Sequence, residues 1–199
     1  MADVIKSISY DQSEILNWII ALYLDGCPFE LDPTYSTGQF YKHGVPEPDM
    51  KLDIHPQVDD CLEVDVRDLP FPDNSIKSCI FDPPFLANSP NRKVLGKMRE
   101  RFSSPYKNQS GLMKFYQEAI SEVYRVLING GILVFKCQDM VDGGKQKWNH
   151  TNTQRMAEEI GFYAEDLFIL LAKSRMIPKS QIARHARRFH CYFWIFRKI

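Results

Sequence analysis

Four consecutive residues, Asp82-Pro83-Pro84-Phe85, bring together the parts needed to hold a planar heterocycle carrying an exocyclic amine. Two prolines in a row fix two φ angles near about −65° and push the preceding residues out of helical conformation. The segment is therefore a stiff, extended turn. Its Asp82 carboxylate and Pro83 carbonyl are acceptors for the two amine hydrogens, and Phe85 is an aromatic face on which a ring can stack. A strand-terminating turn with no chemistry is the alternative that these four residues alone leave open.

Such a turn needs elements that position it. Four short apolar stretches, Phe29–Asp32, Met50–Ile54, Cys61–Val66 and Ser78–Phe81, each end at or beside a polar or acidic residue and read as strands. Asp11–Leu24 reads as a helix capped by Asp11, with Ile15, Trp18, Ile19 and Leu22 at helical spacing. Met113–Leu127 carries a second apolar stripe that Asn129-Gly130-Gly131 is expected to end. Ile132–Cys137 then reads as a buried strand, Thr153–Ile160 as a helix closed by Gly161, and Ala164–Ala172 and Cys191–Phe196 as two final strands. The alternation predicts an α/β fold of three layers, a Rossmann-like, mostly parallel seven-stranded sheet with an antiparallel hairpin at its C-terminal edge. Ligands in such sheets sit at the carboxyl ends of the strands, where the strand order reverses.

DPPF preceded by DVRDLPFPDNSIKSCIF resembles the signature of class I S-adenosylmethionine-dependent methyltransferases, above all the small phage and bacterial DNA methylases of the adenine or cytosine amino group. FELDPTYSTGQFY, KLDIHP, LEVDVRDLPF and YRVLINGGILVFKCQD fall in the order of that family's motifs, so the resemblance covers nearly the whole chain. It implies S-adenosyl-L-methionine as cofactor and a role for each matching residue. Asp32, Pro33, Thr34, Tyr35 and Gly38 would shape the loop around the methionine part. Asp53 would accept the ribose hydroxyls, Asp65 and Val66 would meet the adenine edge, and Asp82 would lie between cofactor and substrate. Asp82, Pro83, Pro84 and Phe85 would form the catalytic turn. The first motif departs from the family in having one glycine, with hydroxyls filling the turn. The implied reaction is methyl transfer to an exocyclic amine of a nucleic-acid base, with adenine in DNA favoured and the cytoplasm of a bacterium or phage-infected host as the compartment. An RNA base methyltransferase, or a non-catalytic nucleic-acid-binding subunit that keeps the fold, stays open beside it.

Charge supports a polyanionic partner. The 25 Lys+Arg and 25 Asp+Glu cancel over 199 residues, but segment 30–82 sums to −8, segment 83–112 to +5 and segment 173–199 to +8. Arg92, Lys93, Arg99 and Arg101, in a substrate-side loop expected over 86–112, are candidates to neutralise phosphates. So are Lys179, Arg184, Arg187 and Arg188, in a basic loop over 173–190. Lys136, with Gln138 and Asp139, ends the fifth strand and is a candidate to line the base pocket. Residues 1–199 are expected to form a single domain without a separate target-recognition domain, leaving recognition to the basic loops or a partner subunit. No apolar run approaches the roughly 18 residues of a membrane helix. The five cysteines lack any C-x-x-C spacing and read as reduced thiols without a zinc framework. His185, His190 and Cys191 lack a fourth ligand at suitable spacing, and no metal is expected.

Overall fold

A computed structural model describes residues 4–85, 87, 106–174 and 185–199. Its strands are β1 (Ile8–Ser9), β2 (Leu31–Asp32), β3 (Met50–Asp53), β4 (Leu62–Glu63), β5 (Ile76–Phe81), β6 (Leu127–Cys137), β7 (Met140–Asp142), β8 (Lys145–Lys147), β9 (Phe162–Leu171) and β10 (His190–Lys198). The α-helices are α1 (Gln12–Tyr23), α2 (Gln109–Val126) and α3 (Asn149–Ile160), with a 3-10 turn over Gln39–Tyr41.

Eight strands form one sheet in the order β1-β9-β10-β6-β5-β2-β3-β4, and β7 and β8 pair separately as a hairpin. β2 to β6 run parallel, while β10 lies antiparallel between β6 and β9. The α/β, mostly parallel architecture is as expected, with one correction. The sheet has an eighth strand, β1, which pairs through Ile8 and Ile169 and covers the edge that the final hairpin was expected to occupy. Two residues are too few to leave a periodic signal in the sequence.

The chain crosses from β2 outwards to β3 and β4, then returns to the other side of β2 as β5. The strand order therefore reverses between β2 and β5, whose carboxyl ends carry Asp32 and Asp82. Each face of the sheet is closed by its own core. On one, Ile15, Leu16, Ile19 and Ile20 of α1 pack with Ile80, Val134 and Phe193. On the other, Leu112, Tyr116, Ile120 and Val123 of α2 pack with Phe81, Leu133 and Phe135.

Among the element bounds that differ from expectation, three have a clear local cause. Helix α2 begins at Gln109, inside the segment expected to be loop, because the Asn108 side chain accepts the Gly111 N–H and Leu112 is fully buried. It ends at Val126, and Asn129-Gly130-Gly131 forms an irregularity within β6 instead of the helix stop. The register slips there, pairing Ile76 with Leu127 but Ser78 with Ile132. A Cβ on Gly131 would stand 2.8 Å from the Ile128 carbonyl oxygen, so the bend requires glycine. Helix α3 starts at Asn149, four residues early, because Asn149 is buried and donates to the Gln138 carbonyl (3.1 Å).

Candidate functional site

β5 ends at Phe81, and the turn Asp82-Pro83-Pro84-Phe85 leaves the sheet at its carboxyl edge. Its conformation is tied down from both sides. The Asp82 N–H donates to Thr34 Oγ1 (2.9 Å), and the Thr34 hydroxyl donates in turn to Asp32 Oδ1 (3.1 Å). From α2, the buried Tyr116 hydroxyl donates to the Pro84 carbonyl (2.9 Å). Pro83 is buried, Pro84 exposed and Phe85 half-buried.

Asp82 has two unlike oxygens. Oδ2 faces the Lys136 ammonium at 3.3 Å, because Phe81 and Phe135 are register partners and the next residue of each strand falls alongside. Oδ1 is buried and has no hydrogen-bond partner among the described residues. Burial pushes the Asp82 carboxyl up, against the pull of Lys136. Lys136 also donates to Gln12 Oε1 (3.1 Å) and stands over the rings of Phe40 (4.6 Å), Phe193 (5.4 Å) and Phe85 (5.8 Å). A cation enclosed by three aromatic faces lies within one side chain of the turn.

The other acidic strand ends share this edge because β2 to β5 are parallel. Asp32 is buried; Oδ1 also accepts the Thr34 N–H (2.8 Å), and Oδ2 accepts the Tyr41 hydroxyl (2.6 Å). Burial pushes its carboxyl up to about 7, and the nearby Asp82 adds to the effect. Asp53 accepts the N–H groups of Ser36 (2.9 Å) and His55 (2.8 Å), one on each oxygen. Asp65 is clamped by the Arg67 guanidinium, which holds its carboxyl below the usual range; Val66 beside it is buried.

The loop after β2 is built around Gly38 and Tyr35. Gly38 has φ +65°, and a Cβ there would meet the Tyr35 hydroxyl at 2.5 Å. The glycine admits the Tyr35 ring, which stacks on Tyr41 (centroids 5.5 Å) and donates to Glu47 (2.5 Å). Pro33 and Thr34 lie at the start of the same loop.

The sequence reading missed Gln12, Phe40, Tyr116 and Phe193, which lie far apart in the chain and converge only through the sheet. Past the end of β6 it named Gln138 and Asp139 but missed the partners that join them into a polar cluster, His150 and Tyr192. Asp139 is buried and pairs with His150 Nδ1 at 2.7 Å, and the His150 ring stacks on Tyr192 at 4.3 Å. Burial alone would raise the Asp139 carboxyl, but hydrogen bonds from His150 outweigh it and hold it below the usual range. Gln138 donates to the His190 carbonyl (2.7 Å), inside this cluster. Among the basic candidates, Arg187 and Arg188 precede β10. Arg92, Lys93, Arg99, Arg101, Lys179 and Arg184 lie outside the described residues. No group of three His, Cys, Asp or Glu suited to a metal occurs among the described residues.

No family model matches the chain, and no curated protein matches it. Solved structures do. The N-methyltransferase NodS from Bradyrhizobium japonicum WM9, in complex with S-adenosyl-L-homocysteine, aligns over 93 % of this chain and 86 % of its own at 12 % identity, with a TM-score of 0.53. The chain has the methyltransferase fold. The [4+2]-cyclase SpnF shares it over 94 % of this chain and 81 % of its own, at 16 % identity and a TM-score of 0.55. Proteins named for two different reactions thus share one methyltransferase fold, so function must be argued from the site. A Thermus thermophilus protein assigned as a DNA modification methylase, complexed with S-adenosyl-L-methionine, aligns over 67 % of this chain at 20 % identity and a TM-score of 0.46. This chain spans about half of that protein's length.

Proposed function

We propose that this chain transfers a methyl group from S-adenosyl-L-methionine to an exocyclic amine of a nucleic-acid base, adenine in DNA above all. The observation that carries the reading is Asp82 Oδ1, a buried carboxylate oxygen without a partner among the described residues, on a turn that leaves the sheet where its strand order reverses. A buried acceptor left open costs free energy unless a ligand's N–H completes it.

The residues present suit the cofactor. Asp53 gives each carboxylate oxygen to one backbone N–H, leaving acceptor capacity for ribose hydroxyls. Asp32 and Asp82 face the same edge and favour a cation. When bound, the cofactor supplies a methyl group activated by its sulfonium. The protein's part is positioning. Asp82 Oδ1 and the Pro83 carbonyl accept the two amine hydrogens, turning the nitrogen lone pair out of conjugation with the ring. As the nitrogen gains the methyl group and positive charge, the Asp82 carboxylate stabilises it, and the methylated nitrogen, now acidic, releases one proton to water. Lys136 on Oδ2 and Tyr116 on the Pro84 carbonyl fix the direction of those acceptors. Phe85 stacks on the base, offsetting part of the cost of removing it from a duplex.

Radiolabelled methyl transfer to DNA and to RNA, followed by nucleoside analysis, tests the reading and names the base. Asp82→Ala is expected to lower transfer by about 100-fold or more while leaving the fold intact. A fully active Asp82→Ala would place the chemistry elsewhere. A second reading, a nucleic-acid-binding subunit that takes no cofactor, has the Tyr35 ring against Gly38 in its favour. Calorimetry with the cofactor separates the two, since the subunit reading requires no binding.

A further inference from the structure

We infer that Trp148, with Arg188 and the β7–β8 hairpin, forms a stacking platform for an unpaired nucleic-acid base outside the Asp82 turn. The inference rests on the nucleic-acid reading above and narrows it to a substrate with an unpaired nucleotide beside the target.

Three observations carry it. Trp148 is 54 % exposed and occupies the N-cap position of α3, where its side chain caps nothing. Small polar residues are preferred there because their oxygens satisfy the free N–H groups of the first turn. The exposed indole satisfies none of them. Second, the indole is held in place. The Arg188 guanidinium lies over its ring at 5.4 Å, and the His150 ring meets it edge-on at 6.2 Å. Arg188 also donates to the Gln146 side chain on β8, and the His185 ring bonds the Gly144 carbonyl (2.9 Å). These contacts join the hairpin to the segment before β10. Third, the surroundings are cationic. Residues 140–148 and 185–188 contain Lys145, Lys147, Arg187 and Arg188 against a single carboxylate, Asp142, which lies across the hairpin from Lys145.

The chemistry that fits is a base with a free π-face attached to a phosphate backbone. Stacking on an aromatic ring tolerates any base, and lysines beside it neutralise the backbone. A base inside a duplex offers its neighbours both faces, so an intact duplex gains nothing from the indole. The hairpin follows the carboxyl end of β6, which runs parallel to β5, so platform and turn share one edge of the sheet.

The test is binding of a fluorescein-labelled oligo-dT 12-mer, an oligo-U 12-mer and a 12-base-pair duplex to the full chain without cofactor. Trp148→Ala is expected to bind the single strands about tenfold more weakly and the duplex unchanged, and to lose the quenching of indole fluorescence on binding. Trp148→Phe is expected to keep most of the affinity, which separates stacking from a folding defect. Lys145→Ala with Lys147→Ala is expected to reduce the slope of log affinity against log salt by about 1.4. Wild-type affinity in Trp148→Ala, or failure of the wild type to bind either single strand, overturns the platform whatever the methylation assay shows. If the wild type transfers no methyl group but Trp148→Ala still loses single-strand affinity, the platform stands and the catalytic reading falls. A preference for oligo-dT or oligo-U states which nucleic acid is held; either supports the platform.

Discussion

At the scale of single residues, two carboxyl groups decide how the site responds to pH. Asp82 is pushed up by burial and pulled back by Lys136. Removing that cation in Lys136→Met raises the Asp82 carboxyl further, so the limb of methyl transfer that rises with pH is expected to move to higher pH, while Lys136→Arg stays near the wild type. A pH–rate profile of the three proteins checks this. Asp32 acts on stability instead. Its carboxyl rises from an ordinary 3.8 to about 7 on folding, so the folded chain holds the proton more tightly than the unfolded one. Stability from this group is fully present below about pH 4 and is lost as the pH climbs through 7. Asp32→Asn keeps an acceptor for the Thr34 N–H and removes the titration. Its denaturation midpoint is expected to fall less than the wild type's between pH 4 and 7. Asp82 and Asp32 were legible in the sequence because each ends an apolar run, whereas their shifts come from burial, which one-dimensional spacing does not encode.

At the scale of elements, the loop after β2 and the face of α2 set the geometry of the turn. Gly38→Ala would strain a left-handed backbone and drive a methyl group into Tyr35. A loss of about 1–3 kcal/mol is expected by chemical denaturation, and Tyr35→Ala should recover part of it in the double variant because the two side chains compete for one space. Tyr116→Phe removes the hydroxyl that fixes the Pro84 carbonyl. It is expected to lower kcat more than cofactor affinity, measured by steady-state kinetics alongside calorimetry, since it touches the turn and not the strand ends. The apolar stripe of α2 was readable as Met113, Tyr116, Ile120, Val123 and Leu127. That Tyr116 also bonds the turn was not, because a tyrosine in a core stripe shows the same spacing whether or not its hydroxyl finds a partner.

At the scale of the whole molecule, the balanced charge divides less simply than the linear sequence suggests. Of the tail's cations, Arg197 pairs with Glu165 (2.6 Å), and Lys198 donates to Asn74 and to the carbonyls of Tyr124 and Leu127. Both sit at the end of β10 opposite to His190, so they hold the sheet together; under the proposed function the phosphate contacts fall to other cations of the tail, Arg187 and Arg188 among them. Of the acidic block, Asp60 and Glu47 pair with Lys51, and Asp73 with Arg125. These pairs are partly or largely exposed and contribute about 0–1 kcal/mol each. Raising salt is therefore expected to weaken nucleic-acid binding steeply while moving the thermal midpoint little. Binding isotherms and melting curves over one salt series check both; binding that ignores salt would remove the phosphate contacts from the account.

The sequence by itself determined the main strands and helices (though not the short β7–β8 hairpin), their alternation and the stiff Asp-Pro-Pro-Phe turn, because hydrophobic period and proline act through neighbouring residues. It did not determine β1, the early starts of α2 and α3, or the bend at Gly131, which depend on the packing of the folded chain around them. Tertiary structure alone decided that Lys136 faces Asp82, that Asp82 Oδ1 has no partner among the described residues, and that Gly38 makes room for Tyr35. The reason is physical: parallel register places residue 136 beside residue 82, and burial then decides which of the polar groups gathered there are satisfied. The reading of the turn as a holder for an amine stands on residue types. Its reading as a site rests on that one unpartnered oxygen.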